Sequence, residues 1–122
     1  MAVLPTTSYI TETLNLIKNN TPYIALYTST PTVGGGGTEV SGGSYARQSV
    51  TFGTITNGSM SNTNTITFAG LPAATITHYA ILSAATGGTM RVFGALNTNA
   101  VTISGDQIQF AIGNITITQA GS

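Results

Sequence analysis

Cysteine is missing from this chain, and charge is scarce: three Lys or Arg and three Asp or Glu in 122 residues. Without cysteine there is no disulfide framework and no thiolate metal site. Lys18, Arg47 and Arg91 are too few cations to neutralise a run of phosphates, so nucleic-acid binding is disfavoured. Glu12, Glu39 and Asp106 stand far apart in the sequence. That spacing disfavours a pair of working carboxylates, and also an oxygen cage for calcium. There is one histidine, His78, and neither Ser83 nor Asp106 sits near it in a recognisable nucleophile arrangement. Met1–Pro5 lacks a basic stretch followed by a long apolar run, so no signal peptide and no membrane span is expected. These absences point away from an enzyme, a cofactor or a bound metal.

What fills the chain instead is threonine (23 residues), glycine (15) and a 41% hydrophobic fraction. The hydrophobic content suits one globular domain over residues 1–122. Charged residues make up 5% of the chain, against about 25% in an ordinary soluble domain. The polar surface must therefore be built from hydroxyls and amides. Net charge is zero, and a surface without charge repulsion tends to associate. This points to a protein that works packed against neighbours.

Periodicity predicts one helix and about eight short strands. Ser8–Asn20 places Ile10, Leu14 and Ile17 on one apolar stripe. Thr7 or Ser8 can cap it, Glu12 and Lys18 suit its dipole, and Pro22 stops it. Strands are expected at Tyr23–Tyr27, Arg47–Phe52, Thr63–Phe68, Thr75–Ser83, Met90–Leu96, Val101–Ile103, Ile108–Ile112 and Ile115–Thr118. In the expected strand Thr75–Ser83, Ile76, His78, Ala80 and Leu82 should share a face opposite Tyr79 and Ile81. Asn57-Gly58 reads as a hairpin turn, and Gly105-Asp106 as another turn. Residues 30–44 carry Gly34, Gly35, Gly36 and Gly37, then Gly42 and Gly43, and read as a long mobile loop. The sum is an all-β fold, an antiparallel β-sandwich or jelly-roll-like domain with one short N-terminal helix.

Seven residues form the candidate interface: Gly34, Gly35, Gly36, Gly37, Glu39, Tyr45 and Arg47. The glycine run lacks the lysine of a phosphate loop. It is either a flexible loop or an arm that orders against a neighbouring subunit. Glu39 and Arg47 flank a glycine-rich turn and can pair. Such a pair either fixes the base of the loop, or joins two subunits, or stays exposed and contributes roughly 0–1 kcal/mol. His78 lies in an apolar strand and reads as a hydrogen-bonded structural residue. The five tyrosines suit core or interface anchors, with stacking on sugars as the alternative. Two Asn-x-Ser/Thr sequons, at Asn57 and Asn114, are what chance gives in so Asn- and Thr-rich a chain.

Three stretches carry a resemblance. They are YIALYTSTP from Tyr23, EVSGGSYARQSVTF from Glu39, and ITHYAILSAATGG from Ile76 followed by VFGAL from Val92. In that order, after a short helix, they resemble a family of small phage virion proteins, often labelled tail-fibre proteins, with some members like capsid cement proteins. The resemblance implies a non-catalytic virion part, made in the host cytoplasm. It implies the major capsid protein, or tail proteins, as partner, and self-association, expected as a homotrimer. Size and the lack of shaft-like repeats favour capsid cement over tail fibre. A carbohydrate-binding module is the rival from another class, and a hydrolase is disfavoured by the missing acid and base.

Overall fold

The computed structural model describes residues 7–32 and 36–118. One helix and eight strands follow in order: α1 (Thr7–Lys18), β1 (Tyr23–Tyr27), β2 (Gln48–Ser49), β3 (Ser59–Ser61), β4 (Ile66–Leu71), β5 (Ala74–Leu82), β6 (Met90–Thr102), β7 (Asp106–Phe110) and β8 (Thr116–Thr118). Every strand pair is antiparallel. Strands β2-β1-β5-β6 make a four-stranded sheet, while β3-β8 and β4-β7 are two-stranded ribbons. The fold is all-β and sandwich-like with one short helix, as the sequence predicts.

The apolar residues decide how the layers meet. Ile24 and Leu26 of β1, Ile81 of β5, Ile66, Phe68 and Leu71 of β4, Met60 of β3, Ile117 of β8, and Leu14 and Ile17 of α1 are all buried in one cluster. Burying each such side chain stabilises the fold by about 1.5–3 kcal/mol. A smaller cluster on the opposite face of the sheet holds Ala25, Tyr27, Ala80 and Leu82.

The helix runs Thr7–Lys18, not to Asn20. The Asn20 side chain donates to the Leu16 carbonyl at 2.6 Å, and Thr21 follows at a φ of 47°. An end carbonyl that finds a side-chain donor needs no further turn. Lys18 stands in the last turn, but Glu12 lies beyond the first, where the dipole has faded. The side chains of Thr7, Ser8, Tyr9 and Ile10 lie outside the described residues.

Several strand bounds shift. The expected strand Arg47–Phe52 pairs only at Gln48–Ser49, because Val50 turns to donate to the Pro22 carbonyl and Phe52 bridges to Asn62. The strand expected at Thr63–Phe68 begins at Ile66 and continues to Leu71, through a bulge at which Gly70 has φ 64°. Asn57 and Gly58 both have positive φ, and Thr56 and Ser59 exchange two backbone bonds across them, the two-residue hairpin expected. Asp106 opens β7 after the turn at Gly105, and its Oδ2 accepts from the Ile103 amide at 2.9 Å.

The segments Met90–Leu96 and Val101–Ile103 are one thirteen-residue strand, β6. Ile76 faces Ala100 and His78 faces Ala95, so β6 spends five residues where β5 spends two. The three extra residues form a bulge opposite Thr77. This is also where the predicted alternation fails: Ile76 joins Ile81 and Tyr79 in the main core rather than Ala80 and Leu82. The irregularity resets which face the strand presents.

Outward from the core, hydroxyls pair with hydroxyls. On the β3–β8 ribbon Ser59 meets Thr118 and Ser61 meets Thr116, each Oγ to Oγ1 at 3.0 Å. Asn62 does the equivalent inside. It is 1% exposed, its amide donates to the carbonyls of Asn64 and Ala111, and its Oδ1 accepts from the Ile115 amide. One side chain thereby fastens β3 to the turn that leads into β8.

Candidate functional site

β1 is paired with β5 along its whole length on one side. On the other, β2 covers only Tyr23 and Ile24. The remaining backbone groups need partners, since buried ones left alone are costly. The glycine-rich loop supplies them. Val40 donates to the Leu26 carbonyl and Thr28 to the Thr38 carbonyl, both at 2.9 Å. The Leu26 amide donates to the Tyr45 hydroxyl at 3.0 Å. The C-terminal limb of the loop is thus pinned along β1.

Tyr45 in turn donates its proton to Glu39 Oε2 at 2.7 Å. Arg47 completes the cluster: Nε donates to Oε2 and Nη2 to Oε1 of Glu39, both at 2.9 Å. Nη1 donates to the carbonyls of Ala84 and Gly87 in the turn that links β5 to β6. The ion pair is part-buried, with the Arg47 side chain 10% exposed. Burial pushes the Glu39 pKa up, but the hydrogen bonds from Arg47 and Tyr45 outweigh it and hold the carboxyl below its usual range. Burial, with Glu39 beside it, pushes the Tyr45 phenol well up.

Of the seven interface candidates, Glu39, Tyr45 and Arg47 come together within one chain. Gly36 donates to Thr32 Oγ1, and Gly37 sits at φ 94° close against Pro31 and the Tyr27 ring. Gly34 and Gly35 lie outside the described residues. The trio lines an open groove of about 490 Å³ together with Ser41, Gly42 and Thr86. What sequence reasoning missed is that the third partner is a phenol bonding to backbone, and that Arg47 spans to a second loop. The tyrosine in SGGSYAR, two residues from the arginine, is the signal that could have found the first.

Chemically this site anchors. Both oxygens of Glu39 are occupied by donors, which leaves it a poor base. His78 has Thr77 Oγ1 at 2.7 Å from Nδ1 and Thr30 Oγ1 at 3.4 Å from Nε2, a hydrogen-bonded place in the sheet. Among the described residues no three His, Cys, Asp or Glu side chains lie close enough to share a metal. No described helix is long and apolar enough to cross a membrane. None of the four tyrosines with described side chains is exposed. Tyr45 stacks on Phe68 at 6.0 Å and Tyr79 lies over Gly94.

A second groove, of about 350 Å³, runs between Leu14, Leu16 and Ile17 of α1, Arg91 and Val92 of β6, and Ile117 of β8.

Comparison with known proteins gives one family. No curated protein matches this chain. The family model described as podophage GP4 fiber I protein gp80 matches residues 8–118, from the first turn of α1 to the last residue of β8. All three stretches that carried the resemblance fall inside that span. The chain belongs to the podophage GP4 fiber I protein family, a family of phage structural proteins.

Proposed function

We propose that this protein is a non-catalytic structural subunit of a phage fibre, which works by packing against copies of itself and against tail proteins. The observation that carries this reading is the fibre family, matched over nearly the whole chain. The surface supports it. Backbone edges and hydroxyls are what such a subunit offers, since four charged residues remain once Glu39 and Arg47 have paired within the chain. Assembly is expected as a homotrimer. The groove beside Glu39, Tyr45 and Arg47 is the surface offered to a partner.

Capsid cement is the second reading. It is favoured by one observation: the described residues form a sandwich-like unit, and no shaft-like repeat runs through the sequence. A cement subunit bridges capsomers and binds the assembled shell rather than free major capsid protein, which shifts the equilibrium toward the closed particle.

Gold-labelled antibody on intact particles, with copy number from quantitative mass spectrometry, tests both. Label on the tail with tens of copies or fewer supports the fibre. Label over the shell with hundreds of copies overturns it in favour of cement. In either case binding should depend weakly on salt, because few charges exist to be screened.

A further inference from the structure

The outer edge of β6 belongs to the longest strand among the described residues. β6 pairs with β5 on one side and ends the four-stranded sheet on the other. Natural edge strands are usually short, or blunted by lysine, proline, inward-pointing charge or β-bulges, and of these devices β6 carries only bulges, opposite Thr77 and at Arg91. β6 has thirteen residues, no lysine, no proline and one charged residue, Arg91. Phe93 and Val101 on it are 38% and 75% exposed, and Ile103 just past its end is 68% exposed.

We infer that the β6 edge binds the β6 edge of a second copy, antiparallel about a two-fold axis through the bulge opposite Thr77. This rests on the reading of the chain as a self-associating virion subunit, and it names the contact.

The register follows from the ladder that β6 already makes with β5. Phe93 sits level with Ala80 and Val101 with Thr75, so the point midway between them falls between Thr77 and His78, beside the bulge. A two-fold axis there sets each Phe93 across from the Val101 of the other copy. The two exposed large apolar side chains of the strand then cover each other. The bulge stays on the axis, and the two regular arms, Val92–Ala95 and Ala100–Thr102, form the pairs; a second register shift, at Arg91, ends the first arm.

Charge selects the same arrangement. Arg91 is exposed and has no carboxylate partner among the described residues. Asp106 lies at the other end of the strand, held beside Ile103. Antiparallel pairing exchanges the two ends, so each Arg91 comes to the Asp106 end of its neighbour. No like charges meet. An isologous contact of this kind closes on itself. It links one oligomer to the next, and a threefold ring uses a different surface.

The absence of cysteine supplies a clean test. Two variants of the full chain, Phe93→Cys and Val101→Cys, are oxidised alone and after mixing. The expected result is a disulfide-linked dimer on mixing and none from either variant alone. Sedimentation velocity gives a second readout. Val101→Lys should weaken association by roughly tenfold or more. Arg91→Glu should weaken it by a few-fold, more so at low salt.

An oligomer without the mixed disulfide overturns the inference, as does self-linking of Phe93→Cys or indifference to Val101→Lys. A chain that stays monomeric at every concentration overturns it too. The fibre reading fails separately, by the location of the label on the particle.

Discussion

Arg47 grips both carboxylate oxygens of Glu39 while its remaining terminal nitrogen holds the carbonyls of Ala84 and Gly87. One planar fork thus ties the root of the glycine-rich loop to the β5–β6 turn. Lysine has a single point charge and no fork, so it cannot replace this geometry. Arg47→Met should destabilise the fold by about 2 kcal/mol, part of it from leaving the Glu39 carboxylate half-buried without a counterion. Glu39→Gln with Arg47→Met should cost less than the two single changes added together. Urea unfolding of the four proteins measures this.

Acid should act through the same carboxyl. The Glu39 pKa is lowered in the fold because hydrogen bonds from Arg47 and Tyr45 outweigh burial. Its contribution is therefore complete above the unfolded value of about 4.3, and is lost as pH falls through the lower folded value. Melting temperature should fall below about pH 4 in the parent and fall less steeply in Glu39→Gln. Equal slopes would mean that Glu39 is not the titrating group.

Alkali should act through the tyrosines. Burial raises the pKa of Tyr45, Tyr79 and Tyr27, with Glu39 adding to the rise at Tyr45 and Tyr27. Stability from a raised tyrosine is whole below the unfolded value of about 10 and drains away as pH rises beyond it. Unfolding by base should therefore coincide with the ultraviolet signal of phenolate formation. Tyr45→Phe removes the acceptor for Leu26 and the donor to Glu39, and should cost about 1–3 kcal/mol at neutral pH.

Asn62 is satisfied at both ends of its amide. Asn62→Ala leaves the Ile115 amide and two carbonyls short of a partner, at a cost of about 2–4 kcal/mol. Asn62→Asp keeps the acceptor but turns an oxygen toward the carbonyls of Asn64 and Ala111, so it should be the worse of the two near neutral pH. Thermal melts rank the pair, and the opposite order would refute the account.

Gly43 has φ 55°, and a Cβ built on it would lie 2.5 Å from the Gly70 carbonyl oxygen. That oxygen accepts from the Ser44 amide at 2.8 Å, so the two segments cannot separate without losing the bond. Gly43→Ala should cost about 2 kcal/mol or more, and Gly105→Ala, whose Cβ would meet nothing nearby, should cost less. Denaturant midpoints for the two variants compare them directly.

Much of this was legible in the sequence. Alternating Thr and Ile give strands, and Asn57-Gly58 gives its turn, because local sterics decide both. The Glu39–Arg47 pair stood out because so few charges compete for partners. Other features left no local mark. Ser59–Ser61 is a strand of three residues with one apolar side chain, too short for a period, and its partner β8 lies far along the chain. The bulge in β6 split one strand into two apparent ones and misplaced Ile76, since period-2 reading assumes a regular pleat. Asn62 is one asparagine among many, and only burial distinguishes it.

The rungs of Ser59 with Thr118 and Ser61 with Thr116 bear on how a particle meets its surroundings. Such neutral rungs gather no cloud of counterions. Under the proposed packing of subunits, neighbours seated against them would neither swell apart in fresh water nor collapse together in brine. A virion faced this way would keep its dimensions as it passes from a bursting cell into whatever dilutes it.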